Sequence, residues 1–168
     1  LAIDVPLLRR RVATVLQRAG LDPNSHDGKA LGAILDSYPR DELFQIDDDT
    51  LYEHAMGVLQ LQERRRVALF VRRDPMGRFV SCLVFAPRER FDAALSERFA
   101  AILGALWNGE VTSVSGSGST EQPLARVLYT LRLRSPAEPT PDLAALERAL
   151  ADAATSDRKS TRLNSSHT

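Results

Sequence analysis

Eight arginines crowd the centre of the chain, and they are the residues whose type and spacing offer the clearest chemistry. A guanidinium group can donate two parallel hydrogen bonds to a carboxylate or a phosphate, so such a cluster suits a docking surface for another domain or an RNA-binding surface. Acidic neighbours leave a third interpretation, a solvated rim. The sequence favours interdomain docking, and the candidate docking residues are Arg64, Arg65, Arg66, Arg72, Arg73, Arg78, Arg88 and Arg90.

The other reactive residue types form no recognisable catalytic, cofactor-binding or metal site. His26, His54 and His167 are far apart in the sequence, and none has a partner at metal-ligand spacing. Gly116-Ser117-Gly118 lacks the third glycine of a dinucleotide-binding loop and precedes a predicted strand rather than a helix. Cys82 lies among apolar strand residues, which indicates a small buried side chain rather than a nucleophile. We therefore expect no catalytic, cofactor or metal site in this chain.

Composition and charge narrow the possible partners. The chain has 168 residues, with 22 basic and 22 acidic side chains and a net charge of zero, which disfavours nucleic acid as a partner. The sequence has no apolar run near the roughly 20 residues of a membrane span, and its single cysteine excludes an internal disulfide framework. A cytoplasmic location is the expectation. Because the chain opens at Leu1 without an initiator methionine, we expect a fragment of a longer protein.

Helical periodicity appears both before and after a central stretch of strand-like alternation. Apolar residues three and four positions apart, with capping residues before them and Gly, Pro or Asn after them, predict the helices. The predicted helices are 6–19, a second one capped by Ser25 or Asp27 and closed by Pro39, one that follows the capping residues Asp47, Asp48 and Asp49 and ends near Gln62, one carrying the stripe from Phe91 to Leu106, and 142–154.

The strands give the fold class. Alternation predicts a β-hairpin of residues 67–72 and 79–85 around the turn 74–77, and further strands at 111–115 and 124–133. With a short strand at 43–46, the order from 43 to 134 becomes βαββαββ, and its first six elements form the pattern βαββαβ. We therefore predict an α+β fold: a ferredoxin-like βαββαβ unit with an antiparallel sheet, flanked by N-terminal helices and a C-terminal helix.

The domain organisation follows from these elements. Residues 156–168 are polar and are predicted to be a disordered tail that is not native to the protein. The expected divisions are an N-terminal helical segment at 1–40, an α+β domain at 41–134, a linker and C-terminal helix at 135–155, and the tail at 156–168.

Six stretches of the chain match the sequence of a known protein family: 5–11 (VPLLRRR), 25–31 (SHDGKAL), 38–46 (YPRDELFQI), 61–66 (LQERRR), 69–84 (LFVRRDPMGRFVSCLV) and 86–91 (APRERF). With them, the chain resembles the large bacterial NAD-specific glutamate dehydrogenases over about residues 5–155. The resemblance implies that the α+β unit at 41–134 is an ACT-type, ACT-like domain. It also implies a non-catalytic regulatory or assembly segment from the N-terminal region of an enzyme that interconverts glutamate and 2-oxoglutarate plus ammonia. NAD would belong to that parent enzyme, and the expected partners are other domains of the same polypeptide and further copies of it.

One departure concerns ligand binding. ACT domains that bind amino acids have a glycine-containing loop after their first strand, whereas residues 47–49 of this chain are three aspartates. This loop disfavours an amino-acid effector and favours a packing or assembly role. The rival interpretation from another function class is a stand-alone RNA-binding α+β module that uses the open sheet face and the arginines.

Overall fold

The computed structural model describes residues 6–117 and 122–166, which belong to two compact units, Leu1–Arg64 and Arg65–Thr168. Residues 41–64, which the sequence analysis assigns to the ACT-like domain, lie in the first unit with the N-terminal helices. Three stretches lie outside the described residues. They are 1–5, in the predicted N-terminal segment, 118–121, between the strands predicted at 111–115 and 124–133, and 167–168, at the end of the predicted tail.

The first unit is helical. Its helices are α1 (Pro6–Ala19), α2 (His26–Ser37), α3 (Arg40–Gln45) and α4 (Asp48–Gln60). The N-caps of α2 and α4 are among the capping residues that the sequence predicts. The side chain of Ser25 accepts a hydrogen bond from the amide of Gly28, and that of Asp47 accepts one from the amide of Thr50.

The strand predicted at 43–46 is wrong, because these residues belong to the helix α3 and its C-cap. Leu43 and Ile46 are buried while Phe44 is 53% exposed, a spacing of three residues that matches one face of a helix rather than alternate faces of a strand. Pro39 directly precedes the helix, and Asp41 and Glu42 lie in its first turn, where negative charge is favourable.

The second unit contains an antiparallel sheet and two helices. Its elements are β1 (Ala68–Arg73), β2 (Phe79–Pro87), a 3-10 turn (Arg88–Arg90), α5 (Ala93–Trp107), β3 (Gly109–Ser117), β4 (Leu124–Leu133) and α6 (Leu143–Ser166). The strand order in the sheet is β1-β2-β4-β3. The hairpin is confirmed, and the amide of Gly77 bonds to the carbonyl of Asp74 across its turn at 2.9 Å. A register shift between Val111 and Ser113 marks a bulge in β3.

The α+β class and the antiparallel sheet are confirmed, but the predicted order βαββαβ is wrong. Because residues 43–46 are helical, the order in the second unit is ββαββα. The place between β2 and β3, which the first strand of a βαββαβ unit would take, is filled by β4. The arrangement is therefore the one a ferredoxin-like unit has after its first strand and helix are moved to its C-terminal end.

Helices α5 and α6 pack together on one face of this sheet, so α6 belongs to the unit and does not merely flank it. The continuous core contains Cys82 and Tyr129, which are fully buried, as the sequence predicts for Cys82. Helix α6 continues to Ser166, past the predicted start of a disordered tail at 156. The residues from 155 to 166 include neither glycine nor proline, so nothing in their type terminates the helix.

Candidate functional site

The fold does not bring the eight candidate arginines to one place. In the antiparallel hairpin, Ala68 at the start of β1 pairs with Phe85 near the end of β2. Arg66, Arg88 and Arg90 therefore belong to one end of the hairpin, and Arg73 and Arg78 to the other. Strand β2 has nine residues, which at about 3.4 Å per residue separates the two ends by roughly 27 Å. The arginines consequently form local groups rather than one continuous patch.

Arg66 forms part of a connection between α6 and the start of β1. One carboxylate oxygen of Glu147, on α6, accepts a hydrogen bond from the backbone amide of Leu69 at 2.9 Å. The other accepts one from Nη1 of Arg66, also at 2.9 Å. The same Nη1 donates to the carbonyl of Val67 at 3.1 Å. This arrangement fixes α6 against the outer edge of β1.

Arg73 attaches the proline-rich connection between β4 and α6 to the hairpin turn. Its Nη2 donates to the carbonyl of Pro136 at 3.0 Å and to that of Gly77 at 3.4 Å, and its Nη1 donates to Oγ1 of Thr140 at 3.3 Å. Gly77 has a φ of +73°, and a Cβ there would lie 3.1 Å from the carbonyl oxygen of Pro136. Glycine therefore suits both the turn and this close approach.

Arg88 holds the start of β4 against the end of β2. Its Nε donates to the carbonyl of Gln122 at 2.6 Å and its Nη2 to that of Leu124 at 3.4 Å, while its own amide bonds to the carbonyl of Pro123 at 3.0 Å. Arg66, Arg73 and Arg88 thus use their donors inside the second unit. The sequence does not reveal these contacts, because each of the three arginines makes at least one hydrogen bond to a residue more than 30 positions away.

The remaining candidates differ in exposure. Arg72 lies on β1 and donates from Nη2 to Oγ of Ser81 at 3.4 Å. Arg90 is half-buried, and its Nε has no hydrogen-bond partner among the described residues. Arg64, Arg65 and Arg78 are exposed. Arg66 is exposed as well, but its guanidinium group is bound to Glu147, so Arg64, Arg65 and Arg78 are the exposed candidates for which no guanidinium hydrogen bond is described.

In the first unit, two arginines that the sequence analysis did not select join α1 to α4. Arg11 donates to the carbonyls of Leu43 and Ile46, and its Nε donates to Asp48 at 3.1 Å. Arg18 donates to Asp49 at 2.6 Å. Arg11 and Arg18 are seven residues apart, so they lie on the same face of α1, and they bind the adjacent residues Asp48 and Asp49. This helical spacing of the two arginines is the sequence signal that could have identified them.

The aspartate run 47–49 is therefore the N-cap and the start of α4, directly after α3 and its C-cap, and is not a loop after a strand. The comparison with a ligand-binding ACT loop, made on the assumption of a strand at 43–46, does not apply to it. Hydrogen bonds to Asp47 from the backbone amide and the hydroxyl of Thr50 lower the pKa of its carboxyl group below the ordinary 3.8. The aspartates thus cap α4 and bind the arginines of α1.

Among residues 6–117 and 122–166, no group of three or more His, Cys, Asp or Glu side chains is placed to hold a metal ion. Within those ranges, no helix has the length and hydrophobicity needed to cross a membrane. Nδ1 of His54 lies 3.5 Å from the hydroxyl of Tyr38.

Two family models match the chain in succession. The model for glutamate dehydrogenase helical motif 1 matches residues 5–64, and the model for the glutamate dehydrogenase ACT2 domain matches residues 68–156. The chain belongs to the glutamate dehydrogenase ACT2-domain family. This confirms the resemblance seen in the sequence, and the boundary between the two matches agrees with the division of the structure at Arg64 and Arg65.

Curated relatives of this ACT2-domain chain carry the name NAD-specific glutamate dehydrogenase. One from Halomonas elongata is 42% identical over 150 residues, which is 88% of this chain and 9% of the relative. One from Pseudomonas aeruginosa is 36% identical over 138 residues, 77% of this chain and 8% of the relative. One from Mycobacterium tuberculosis is 35% identical over 131 residues, 78% of this chain and 8% of the relative. The chain therefore spans less than a tenth of the length of these relatives.

Proposed function

We propose that this chain is a non-catalytic regulatory and assembly segment of an NAD-specific glutamate dehydrogenase. The parent enzyme converts L-glutamate and NAD into 2-oxoglutarate, ammonia and NADH. The observation that carries the proposal is the consecutive match of a helical motif and an ACT2 domain of glutamate dehydrogenase to the two structural units. NAD serves the parent enzyme and binds outside this segment, and the enzyme is bacterial and cytoplasmic. No described contact favours the RNA-binding alternative.

The docking role of the arginines is part of this proposal, but it is assigned to three of the eight candidates. Arg66, Arg73 and Arg88 hold the second unit together through the bonds described above. Arg64, Arg65 and Arg78 are exposed and are the arginines we assign to docking. Their partners are carboxylates of another domain of the same polypeptide, because guanidinium groups bind carboxylates in paired geometry.

A segment exchange tests the proposal. In the Halomonas elongata enzyme, the 150 matching residues are replaced by those of this chain, and NADH formation from glutamate is measured together with the mass of the purified enzyme. We expect activity and assembly to be retained. A control exchange inserts an unrelated α+β domain of similar length and is expected to lose both. Equal loss in the two exchanges would contradict the proposal.

The non-catalytic part of the proposal has its own test. The purified chain is incubated with glutamate and NAD, and absorbance of NADH is compared with that of a mock preparation. We expect no difference. Activity that rises with the amount of purified chain would overturn this part of the proposal.

A further inference from the structure

The turn of the β1–β2 hairpin carries exposed side chains of the kinds that protein interfaces favour. Met76 in this turn is 68% exposed, and Phe79 at the start of β2 is 41% exposed. Arg78, which precedes Phe79, is exposed as well. Methionine, arginine and aromatic residues are enriched in protein–protein interfaces relative to the rest of the surface. We call Met76, Arg78 and Phe79 the hairpin tip.

Hydrogen bonds hold the backbone of the hairpin tip in one conformation. The amide of Asp74 bonds to the carbonyl of Phe79 at 3.0 Å. The carboxylate of Asp74 accepts a hydrogen bond from the amide of Phe79 at 2.7 Å and another from the amide of Met76 at 3.2 Å. A surface that is ordered before it binds loses little conformational entropy on binding. The hairpin tip is therefore preorganised for a partner.

Two arginines at the hairpin tip are available to a partner. Arg134 lies close to Arg78, because the amide of the preceding residue, Leu133, bonds to the carbonyl of Arg78 at 2.8 Å. Both arginines are exposed, and neither guanidinium group has a partner among residues 6–117 and 122–166. Asp74, the acidic residue of the turn, uses both carboxylate oxygens for backbone amides. Carboxylates of another surface can therefore bind both arginines.

Two further carboxylates near the hairpin tip are bound within the second unit. Glu110 forms an ion pair with Arg132 at 3.0 Å, and Arg132 is the cross-strand partner of Phe79. Glu138, in the connection between β4 and α6, accepts a hydrogen bond from Nδ2 of Asn108 at 3.0 Å. The surface at this end of the sheet thus combines exposed apolar side chains with guanidinium groups that need carboxylate partners.

We propose that the hairpin tip docks into an apolar pocket, flanked by carboxylates, on another domain of the same polypeptide. Met76 and Phe79 enter the pocket, and Arg78 and Arg134 bind the carboxylates. The matched region is 9% of the Halomonas elongata relative, so more than nine-tenths of such a polypeptide lies outside it. This inference deepens the docking role proposed above and rests on it.

The small size of the hairpin tip favours a partner in the same polypeptide over a separate protein. Stable complexes between separate proteins bury roughly 1,200–2,000 Å², which is more than two apolar side chains and two arginines provide. Covalent linkage within one polypeptide raises the effective concentration of the two surfaces, so that a small contact suffices. Methionine is flexible and fits pockets of irregular shape.

Photo-cross-linking tests the contact directly. The exchange enzyme is the Halomonas elongata enzyme with this chain in place of its 150 matching residues. In it, Met76 is replaced by the photoreactive residue p-benzoylphenylalanine, and the cross-linked peptide is identified by mass spectrometry. We expect a peptide from outside the exchanged segment that contains Asp or Glu. The control places the same residue at Leu143, which is 39% exposed on α6, and should not capture this peptide.

Charge reversal tests the role of the arginines. Arg78→Glu in the photoreactive exchange enzyme should lower the yield of the cross-link at least about tenfold, because like charges then face each other. The control Arg148→Glu makes the same change at an exposed arginine of α6 and should leave the yield unchanged. Replacing the captured carboxylate by arginine should restore the yield with Arg78→Glu. Circular dichroism checks that each variant is folded.

The outcomes separate this inference from the proposed function. Absence of a cross-link, capture of peptides only from this chain or its second copy, or equal yields for Arg78→Glu and Arg148→Glu would each overturn the inference. The cross-link is measured on the purified polypeptide and does not depend on NADH formation. An active exchange enzyme without the cross-link therefore contradicts only the docking contact, whereas a cross-linked enzyme that neither assembles nor forms NADH contradicts the proposed function.

Discussion

At the scale of single residues, Asp47 makes a stabilising contact that depends on pH. Its carboxylate accepts two hydrogen bonds from Thr50, each 2.8 Å long, and these lower its pKa in the folded chain. A lowered folded pKa means that the stabilisation is complete above the ordinary pKa of aspartate and is lost as the pH falls through the lowered value. Asp47→Ala should reduce the free energy of unfolding by about 0.5–2 kcal/mol at neutral pH.

The matched control for Asp47 is Asp47→Asn, whose amide oxygen can accept the same backbone hydrogen bond but does not titrate. Urea unfolding followed by circular dichroism at pH about 7 and about 3 should show the gap between wild type and the alanine variant shrinking in acid. The gap between the asparagine and alanine variants should stay constant. A gap between wild type and alanine that is the same at both pH values would contradict this account.

Glu147 offers a second residue-scale prediction. Glu147→Ala removes the partner of the Leu69 amide and should reduce the free energy of unfolding by about 1–3 kcal/mol. Arg66→Ala removes only the ion pair, and because the side chain of Arg66 is 54% exposed, the loss should be below about 1 kcal/mol. Glu147→Gln keeps an acceptor for the amide and should resemble Arg66→Ala. Urea midpoints that rank Arg66→Ala as the most damaging change would show that the ion pair dominates.

At the scale of elements, α5 shows that apolar periodicity predicts a helix but does not predict the burial of every residue in its apolar stripe. The sequence assigns both Leu103 and Leu106 to one apolar stripe, but Leu103 is fully buried and Leu106 is 49% exposed. Leu103→Ala should therefore reduce the free energy of unfolding by about 2–5 kcal/mol. Leu106→Ala, the same change three residues away, should alter it by less than about 0.5 kcal/mol. The fluorescence of Trp107 reports the urea unfolding of both variants. Equal shifts of the two urea midpoints would mean that the buried face of α5 is misassigned.

Elements whose signals are local could be predicted from the sequence. The predicted range of α1 is the observed one, and the hairpin follows from alternation around the turn 74–77. The segment 43–46 could not be assigned in this way, because four residues with a mixture of aromatic and branched side chains fit a strand as well as one helical turn. Contacts with a distant element add to the local signals for this helix, since Arg11 of α1 donates to the carbonyls of Leu43 and Ile46.

The same limit applies to the candidate site. Clustering of arginines in sequence suggested one docking surface, but an antiparallel hairpin sends its two ends to opposite sides of the unit. The bonds from Arg73 to Pro136 and from Arg88 to Gln122 span 63 and 34 residues. Only the tertiary fold reveals which guanidinium groups are already used. The exposed set of Arg64, Arg65 and Arg78 could not be separated from the others by composition or spacing.

At the scale of the whole molecule, the α+β class and the family follow from the sequence, whereas the order of elements does not. Assigning the four residues 43–46 to a strand places that strand and α4 in front of ββαββα, so that the first six elements become βαββαβ and the domain start moves from 65 to 41. The two orders give similar sheets, since β4 takes the central position that a first strand would otherwise fill. When a topology is deduced from the predicted order of helices and strands, an error in the shortest element is therefore enough to change it.

The division of the chain leads to a final prediction, that residues 65–156 fold by themselves. The hydrophobic core cluster of the second unit runs from Val67 to Ala154 and is drawn entirely from that unit. Trp107, the single tryptophan of the chain, is 1% exposed within this cluster and so reports on the second unit. In the isolated segment, tryptophan emission should match the blue-shifted spectrum of the full chain and shift to the red in one cooperative transition in urea. Leu103→Ala introduced into the segment should lower that midpoint, whereas an emission spectrum typical of exposed tryptophan before any urea is added would show that the core cannot form from this unit alone.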